Sequence, residues 1–561
     1  MIEPVTLQYE TAVDIGFKAI PALTIVAMMV LFLGVGYFFR VAAVDDLWVA
    51  GRSIGAIENG MAIGANWMSA ASYLGVAALI ATAGYYGLGF VVGWTTGYFI
   101  LLIFMAAQFR RFGKYTAPDF VGDRFYSNYA RGIAAFVTLV IAFVYAIGQG
   151  SGMGLMAQYI LGLSYEAGVI LFMGVTIVYV ALSGMLGATK NMALQYVILI
   201  LAFLLGLYVV GWSQGWSTVM PYLEAGAQTE LLIEEFHAQF AEPFAAESFY
   251  MWMALVVSLI LGTCGLPHVL VRFYTVDNER TARWSTVWGL FFICLLYWGT
   301  ATYAVFGGLL YEEPVSGDET AVTAGAEDTF MNMPGADGDA LVALTVQLAD
   351  MPEWLVGIVA AGAVAAALAT TAGLFVSASS AAAHDIYTNL YKTEATQREQ
   401  MAVGRTTILV IGILVTLIAL NPPALIGELV AMSFAIAACV FFPVFFLGLW
   451  WENATQEGAI AGMLVGILVS FGAIANDTAI PMYTGVEGAF STTLAAYVPG
   501  LGSALVGVPV VFAVIIVVSL VTESPPEHVK RLVRQCHSPK PMDKMDAAED
   551  VAADGGTTTD D

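Results

Sequence analysis

A run of small and hydroxyl-bearing residues interrupts an apolar segment in the second half of the chain. The segment AAGAVAAALATTAGLFVSASSAAAHDIY carries the pair Thr370 and Thr371, followed by Ser377, Ser379 and Ser380. Oxygen atoms of hydroxyls and carbonyls bind hard, small cations, so one interpretation of this pattern is an oxygen cage for an ion such as Na⁺. Hydroxyls that bond back to carbonyls of their own helix are the alternative.

Two other apolar segments contain residues that weaken a helix. The first, ENGMAIGANWMSAASYLGVAALIATAG, has small residues around Asn66, Ser69 and Ser72, and the second ends in GTCGLPHVLVRF with Pro267 inside it. In lipid, irregular backbone is tolerated only where it lines a protein cavity, and transporters bind small solutes at such discontinuous helices. The segments therefore favour two broken helices beside a solute site. Small residues that only permit close helix packing are the alternative.

The composition places these segments in a membrane. Of 561 residues, 59% are hydrophobic and 11% are charged, whereas soluble proteins carry about 25% charged residues. The four cysteines show neither pairing nor metal-ligand spacing, so neither a disulfide framework nor a zinc site is expected. The acidic, polar start of the chain does not have the pattern of a signal peptide, so we expect the first helix to be retained.

The net charge of −24 comes from loops and the tail rather than from the apolar segments. Ten acidic residues lie in 312–353, six lie in 224–247 and seven lie in the last nineteen residues. Solvated loops and a disordered tail would explain these clusters. Adaptation to high salt is the more specific interpretation, because an acidic surface keeps a protein soluble there, and it indicates a salt-adapted prokaryote.

Apolar segments of about 20 residues can cross a bilayer core of roughly 30 Å. Thirteen segments meet this requirement: 19–40, 58–83, 87–109, 132–160, 167–187, 191–213, 249–272, 284–310, 354–382, 404–421, 424–450, 457–475 and 497–521. With the N-terminus outside, nineteen of the twenty Lys and Arg residues are cytoplasmic, among them Arg272 at the end of the seventh span, as expected for basic loops. We therefore predict a multi-pass cell-membrane protein with an outside N-terminus and a cytoplasmic C-terminus.

The two broken segments occupy matching positions in the order of spans. If the first span is set aside, each is the first helix of a group of five, which is the spacing of two inverted five-helix repeats. We divide the chain into an extracellular N-terminus with a peripheral helix, two repeats, two peripheral helices and an acidic tail expected to be disordered. These parts are 1–45, 46–215, 216–452, 453–522 and 523–561. The acidic extracellular loops are 214–248 and 311–353.

At these positions the sequence resembles the sodium/solute symporter family, and most closely its acetate-permease-like, monocarboxylate subgroup. The resemblance covers roughly residues 40–475, and GLPHVLVRF and the helix from AGLF to HDIY are its most specific parts. The matching segments are WVAGRSIG (48–55), ANWMSAASYLG (65–75), FRRFGKYTAPDF (109–120), GTCGLPHVLVRFYTV (262–276), AAALATTAGLFVSASSAAAHDIY (365–387) and FAIAACVFFPVFFLGLWW (434–451).

The resemblance implies an all-α membrane protein with a leucine-transporter-type core. It also implies a sodium site between the second and ninth spans, with Na⁺ as the coupling ion and no organic cofactor. The family's ligand positions, three carbonyls and then a hydroxyl pair, fall on Ala65, Met68, Ala366, Ala369 and Thr370. Since Ala369 has no hydroxyl, Thr371 is the substitute if the helix register shifts by one.

We predict a solute pocket beside the two broken spans. Its candidate lining residues are Trp67, Ser69, Ala70, Ser72, Gln149, Thr263, Cys264 and Gly265. Gln149 either faces this pocket or makes an inter-helix hydrogen bond. The set contains no Asp, Glu, Lys or Arg, so a small carboxylate would be held by helix N-termini and free N–H groups.

These observations predict Na⁺-coupled symport of a small monocarboxylate such as acetate, by alternating access. Phe441 stands where the subgroup usually has an asparagine, so the exact solute stays open. An amino acid, a sugar or a vitamin is the alternative solute. A transporter-like sensor is a further alternative, although the roughly forty residues after Val521 are too few for a kinase domain.

We do not expect an enzyme or a nucleic-acid partner, and the oligomeric state stays open. His268 and His384 could indicate metal or acid–base chemistry, but they lack the ligand spacing of a metalloenzyme. Structural roles are therefore expected for both. For His384, at the end of the ninth span, that role would be to cap the helix or to anchor a loop.

Overall fold

The computed structural model describes residues 17–41, 43–215, 244, 247–315, 339–479 and 492–538, and the regular structure in these ranges is entirely helical. The helices are α1 Ala19–Phe38, α2 Val44–Val49, α3 Ala56–Trp67, α4 Val76–Ala83, α5 Leu88–Phe104, α6 Ala106–Phe112, α7 Ala117–Arg124, α8 Asn128–Leu161, α9 Tyr165–Ser213, α10 Phe249–Gly265, α11 Pro267–Leu270, α12 Glu279–Val315, α13 Leu341–Leu348, α14 Glu353–Ser380, α15 Gln397–Ala419, α16 Ile426–Val440, α17 Phe442–Trp450, α18 Gln456–Ile474, α19 Thr492–Tyr497, α20 Ala504–Val521 and α21 Glu527–His537. Short π-helical segments follow α3, α14 and α18 at Ala71–Gly75, Ala381–Tyr391 and Ala475–Ala479.

Ten helices in the described ranges are long and apolar enough to cross a membrane, and two bent pairs raise this number to twelve. The bent pairs are Ala56–Trp67 with Ala71–Ala81, at 67°, and Phe249–Gly265 with Pro267–Phe273, at 49°. Helix α9 has 49 residues, so at 1.5 Å per residue it is about 74 Å long. That is more than twice a bilayer core of roughly 30 Å. Helix α9 therefore supplies two spans, and each predicted span has a helical counterpart.

Helix α9 is divided by a sharp kink at Gly184. The φ and ψ angles of this residue, 53° and −154°, lie in a region that only glycine adopts without strain. A Cβ atom at this position would lie 2.7 Å from Cδ1 of Leu47 and 2.9 Å from its Cα. Both the backbone angle and the contact with α2 therefore require glycine, and the kink lies within the fifth predicted span, near its end.

Replacing Gly184 with alanine should destabilise the protein by about 1–3 kcal/mol, because the left-handed backbone and the contact with Leu47 become strained. Gly174, in the same helix, is the matched control, since nothing lies within 4 Å of a Cβ added there. Gly174→Ala should change stability by less than about 1 kcal/mol, in the stabilising direction. Thermal unfolding in detergent measures both variants, and equal melting temperatures would contradict the assignment of the kink.

Helix α14 is the centre of the bundle and packs against α1, α8, α9 and α3. Nearly all of its side chains are buried, and its small residues let other helices come close. A Cβ atom at Gly362 would lie 2.5 Å from Cβ of Ala202 in α9, and one at Gly357 would lie 2.8 Å from Cα of Pro21 in α1. Close helix packing thus accounts for part of the Ala- and Gly-rich composition of the ninth span.

The predicted disordered tail is wrong for residues 527–537, which form α21. The apolar side chains Val529, Val533 and Cys536 are buried at helical spacing. The Cys536 carbonyl accepts a hydrogen bond from Arg111 Nη1 at 3.1 Å, and His537 Nε2 lies 2.8 Å from the Leu449 carbonyl oxygen. The tail begins with a helix docked on α6 and α17, whereas residues 539–561 lie outside the described part.

Helical structure also enters the predicted loop 311–353. Helix α12 continues to Val315 and α13 occupies Leu341–Leu348 within this range. The predicted acidic loops otherwise fall largely on residues 216–243 and 316–338, which the structure does not describe. The expected structure of those acidic segments is therefore not tested.

Candidate functional site

The chain leaves helical geometry between Trp67, the last residue of α3, and Ala70. A regular helix would direct the N–H of Ser69 to the carbonyl of Ala65, but this N–H donates to the Trp67 carbonyl at 2.7 Å. The N–H of Ala70, which would donate to the Asn66 carbonyl, donates to Oε1 of Gln149 at 2.8 Å. The break therefore deprives the Ala65 and Asn66 carbonyls of their usual helical donors.

Helix α14 reaches this break through Thr370. The Thr370 hydroxyl oxygen lies 2.9 Å from the Asn66 carbonyl oxygen and 3.3 Å from that of Ala366, and its proton can be donated to only one at a time. The structure thus brings two predicted ion-site residues, Ala366 and Thr370, to the broken helix. The Thr371 hydroxyl donates to the Ala367 carbonyl of its own helix at 2.8 Å, and Ala369 is fully buried.

The side chain of Asn66, which the sequence interpretation did not assign, also lies at the contact with α14. It is 1% exposed, and neither its oxygen nor its nitrogen has a hydrogen-bond partner in the described residues. A Cβ atom at Gly373 would lie only 1.9 Å from Asn66 Oδ1, so α14 needs glycine here. Gly373 follows Thr370 by three residues, about one helical turn, which is the signal in the sequence that could have indicated this contact.

Replacing Thr370 with alanine should raise the Na⁺ concentration for half-maximal uptake by roughly tenfold, since the predicted oxygen ligand and the contact with the Asn66 carbonyl are lost. Thr371→Ala should have a smaller effect, because that hydroxyl bonds within α14. The measurement is solute uptake into proteoliposomes over a range of Na⁺ concentrations. Thr176→Ala, which removes a buried hydroxyl bonded within α9, is the control. A larger effect of Thr371→Ala would instead support the shifted register.

The other side of the break is covered by six buried aromatic side chains, which we name the aromatic cluster. Its members are Trp67, Trp94, Tyr98, Tyr145, Tyr297 and Phe434. The ring centroid of Trp67 lies 4.6 Å from Tyr98, 5.4 Å from Phe434 and 6.3 Å from Trp94. The Tyr297 ring stacks on Trp94 at 6.2 Å, and its hydroxyl lies 2.8 Å from that of Ser72. Helices α3, α5, α8, α12 and α16 therefore meet at the break.

Five of the predicted pocket residues come together here: Trp67, Ser69, Ala70, Ser72 and Gln149. Gln149 makes the predicted inter-helix hydrogen bond, since its Oε1 accepts from the Ala70 N–H at the break, and its role in a solute pocket stays a prediction. The other five aromatic residues were missed because they come from four further helices. In a chain that is 12% aromatic, no local pattern distinguishes them from other buried rings.

The remaining three predicted pocket residues lie along α10. The Thr263 hydroxyl donates to the Leu259 carbonyl at 2.7 Å, and the Cys264 sulfur lies 3.6 Å from the Gly97 carbonyl oxygen of α5. A Cβ atom at Gly265 would lie 2.3 Å from the Ala437 carbonyl oxygen and 3.3 Å from Cβ of Phe441. The structure therefore places these three residues against α5, α16 and Phe441.

The second break falls at Leu266, between α10 and α11, where Pro267 begins the new helix. Helix α10 is regular through Gly262 and Gly265, so these glycines do not open the backbone. A Cβ atom at Gly262 would lie 2.4 Å from the Phe434 carbonyl oxygen, so the glycines permit close packing on α16. Pro267 instead marks the bend, because its missing N–H suits the first turn of a helix.

Arg272 is 1% exposed, although we expected it to mark a helix end. Its Nη1 donates to the Thr189 hydroxyl at 2.9 Å, and its Nη2 lies 2.7 Å from the Met192 sulfur. Its carbonyl accepts from Asn59 Nδ2 at 3.1 Å. Arg272 therefore ties the segment after the second break to α9 and to α3.

Neither histidine takes part in a catalytic arrangement in the described residues. The His268 ring is buried against Tyr145 at 5.4 Å, consistent with a structural role. His384 Nε2 lies 3.3 Å from Asp119 Oδ2, which confirms an anchoring contact, here to α7. His384, Asp119 and Asp385 place their ligand-type atoms within 4.8 Å of one another.

The carboxylates beside His384 already have partners. Asp119 lies 3.4 Å from Arg131 Nη2, and Asp385 accepts a hydrogen bond from Thr116 at 2.8 Å. Burial raises the pKa of Asp119, but the hydrogen bond and charge of His384 and the charge of Arg131 outweigh it, so the pKa is below its usual range. The group therefore joins α7, α8 and the end of α14 through ionic contacts.

A further buried carboxyl, Asp339, lies between the π-helical segment Ala71–Gly75 and the start of α16. Its Oδ2 accepts from the Ile426 N–H at 2.8 Å, whereas Oδ1 has no hydrogen-bond partner in the described residues. Burial raises the pKa of Asp339 to about 7, the Ile426 hydrogen bond opposes this change, and the charge of Glu428 adds to it.

Stability should consequently fall as the pH rises from about 4 to about 7, because the folded protein keeps a proton on Asp339 that the unfolded chain releases near its ordinary pKa. Asp339→Asn retains an oxygen for the Ile426 N–H and cannot ionise. The variant should therefore match the wild type at about pH 4 and exceed its stability at about pH 8. Melting temperatures across this range measure the difference, and identical pH slopes would contradict the burial of a protonated carboxyl.

Two broken helices within a bundle of long apolar helices are typical of a membrane transporter with discontinuous helices. The chain belongs to the sodium:solute symporter family, whose sequence profile matches residues 47–466. It is 26% identical over 623 aligned residues to an uncharacterized symporter of Cupriavidus necator, with 89% of this chain and 91% of that protein covered. The chain is thus a multi-pass, Na⁺-coupled solute symporter, and its family is one of transporters rather than enzymes.

Solved structures confirm the predicted leucine-transporter-type fold. A substrate-bound, outward-open Na⁺-coupled sialic acid symporter matches with a TM-score of 0.69 and 18% identity, over 91% of this chain and 99% of that one. A nucleobase-cation-symport-1 family transporter in a closed conformation matches with a TM-score of 0.50 and 11% identity, over 87% and 98%. At identities of 18% and 11%, the similarity to these two structures shows a shared fold alone.

Proposed function

We propose that this symporter couples Na⁺ entry to uptake of a small monocarboxylate such as acetate. The observation that carries the proposal is the two-sided break after Trp67. On the α14 side lie carbonyl and hydroxyl oxygens, which suit a cation, and on the other side lies the aromatic cluster with Gln149. The residues that line this second side carry no formal charge, so the site offers a cationic solute no carboxylate partner.

The proposed Na⁺ ligands are oxygens at the break and on α14. They come from Ala65, Met68 and Ala366 carbonyls and the Thr370 hydroxyl, with Ala369 and Thr371 as the neighbouring family positions. We add the Asn66 carbonyl, which Thr370 already contacts at 2.9 Å. An ion here would order Met68 and Ser69, the two residues within the break. It would take the place of the N–H donors that the Ala65 and Asn66 carbonyls have lost.

Coupling follows from linkage between the two sides of the break. A bound Na⁺ that orders Met68 to Ala70 would also fix the Ala70 N–H that holds Gln149, so that each ligand raises the affinity of the other. One Na⁺ with one carboxylate moves no net charge. A membrane potential, worth roughly 2.3 kcal/mol per charge per 100 mV, would therefore drive uptake only if a further cation is carried.

The proposed topology keeps the repeats 46–215 and 216–452, the N-terminus outside and the C-terminus in the cytoplasm. It is supported by the distribution of basic residues and by the two bent helix pairs, each the first of five spans. The predicted adaptation to high salt is supported by the net charge of −24. The oligomeric state has no support in either direction.

An amino acid is the second candidate solute. The aromatic cluster supports an amino acid because the faces of Trp and Tyr rings attract an ammonium group. The carboxylate of the amino acid could use the same N–H groups as acetate. A sugar or vitamin would need many more hydrogen-bonding side chains than this lining supplies, and a sensor would need a signalling partner.

Uptake by proteoliposomes tests the proposed solute. With a Na⁺ gradient, radiolabelled acetate should accumulate, and unlabelled propionate and pyruvate should compete whereas proline and glucose should not. Replacing the Na⁺ gradient with K⁺ should abolish accumulation, and empty liposomes are the control. Accumulation of proline without competition by acetate would instead establish the second candidate.

A further inference from the structure

Three unused hydrogen-bond donors lie at the aromatic cluster. Nε1 of Trp67, Nε1 of Trp94 and Nε2 of Gln149 are buried without a well-aligned hydrogen bond in the described residues, and the Tyr297 hydroxyl is the polar group next to the Trp67 indole N–H. Buried donors without partners cost free energy, so three at one place are unusual for a structural core. A ligand that accepts hydrogen bonds would satisfy them.

The three groups belong to side chains that meet at the same break. The rings of Trp67 and Trp94 are 6.3 Å apart, and Phe434 contacts both, at 5.4 and 5.6 Å. Gln149 is held at the break by the Ala70 N–H, three residues after Trp67. Tyr145, one helical turn before Gln149, contacts Phe434 at 6.0 Å.

These three side chains have unused hydrogen-bond donors but no unused hydrogen-bond acceptor. An indole N–H cannot accept a hydrogen bond, and the oxygen of Gln149 already accepts from the Ala70 N–H, which fixes the amide so that its NH₂ group is the free end. An ammonium or hydroxyl group would bring donors that find no acceptor on these three side chains. A carboxylate brings only acceptors and suits them.

We propose that Trp67, Trp94 and Gln149 recognise the carboxylate of the solute through these three N–H groups. This inference rests on the proposed function and deepens it, because it names the specificity-determining residues. The rings of the aromatic cluster then surround the alkyl part of the solute. Since the rings already contact one another, the site selects short-chain monocarboxylates over long ones.

The two sides of the break thereby differ in the groups they leave free. Toward α14 they include oxygens, namely the Asn66 carbonyl, which the Thr370 hydroxyl contacts at 2.9 Å, and Oδ1 of the Asn66 side-chain amide, whose oxygen and nitrogen both lack a partner in the described residues. Toward the aromatic cluster they are N–H groups. A cation and an anion would bind on opposite sides of the break at Met68 and Ser69. The N–H groups on one side would then bind an anion without any Arg or Lys.

Single substitutions that remove one N–H donor test the proposal. Trp94→Phe and Trp67→Phe should each raise the KM for acetate roughly tenfold, the typical value of a hydrogen bond to a charged group. Gln149→Leu should do the same, and Gln149→Glu should abolish uptake because its charge repels a carboxylate. For the two ring variants, the Na⁺ concentration for half-maximal uptake at saturating acetate should stay unchanged.

Trp252 supplies the matched control. Its Nε1 is also buried without a partner in the described part of the chain, but its ring contacts Tyr85, Phe244 and Phe249, away from the aromatic cluster. Trp252→Phe should leave the KM for acetate unchanged. A general effect of losing an indole would appear in this variant as well.

The outcomes separate this inference from the proposed function. If the wild-type protein takes up no monocarboxylate, the proposed function fails and the donor assignment fails with it. If the wild type transports acetate but Trp94→Phe and Gln149→Leu keep the wild-type KM, only the donor assignment is overturned. Size-exclusion profiles and melting temperatures of each variant identify misfolding, and Gln149→Asn, which keeps the NH₂ group on a shorter side chain, should restore part of the affinity lost in Gln149→Leu.

Discussion

The interruption of helix between Trp67 and Ala70 is the constraint on which the rest of the site depends. In a membrane, backbone groups that lose their helical partners must find others inside the protein. The Ala70 N–H takes Gln149 from α8, and the Asn66 carbonyl takes Thr370 from α14. Helix α8 of the first predicted repeat is thereby bound to Ala70, and helix α14 of the second is bound to Asn66. Because both contacts lie at the same break, a movement of one helix changes the contacts of the other.

Close packing makes these contacts possible. Glycine at position 373 lets the Asn66 side chain lie against α14, and glycine at 262 lets α10 lie against the backbone of α16. A methyl group at either position would overlap a neighbouring atom, so these helices could not approach. The small residues of the three interrupted apolar segments therefore permit close helix packing, and this packing also brings the residues at the break together. The two interpretations offered from the sequence do not exclude each other.

Much of the architecture was predictable from local sequence, because lipid forces apolar segments of sufficient length into helices. The long apolar helices and the discontinuities near Ser69 and Pro267 are of this kind, whereas the approach of Thr370 to the first broken helix was implied by the family resemblance. The tail helix was missed because its apolar residues, Val529, Val533 and Cys536, are few and lie among charged residues. Its stability comes from docking on α6 and α17.

A bundle of long apolar helices, two of them weakened at matching places and a third carrying hydroxyls, follows from the sequence alone. Which atoms meet at the first break depends on how the helices pack. Helical periodicity states which residues share a face, but not which carbonyl loses its donor or which ring from a distant span covers the gap. Asn66, Trp94 and Tyr297 owe their places to contacts between residues far apart in the chain, and such contacts leave no mark in local sequence.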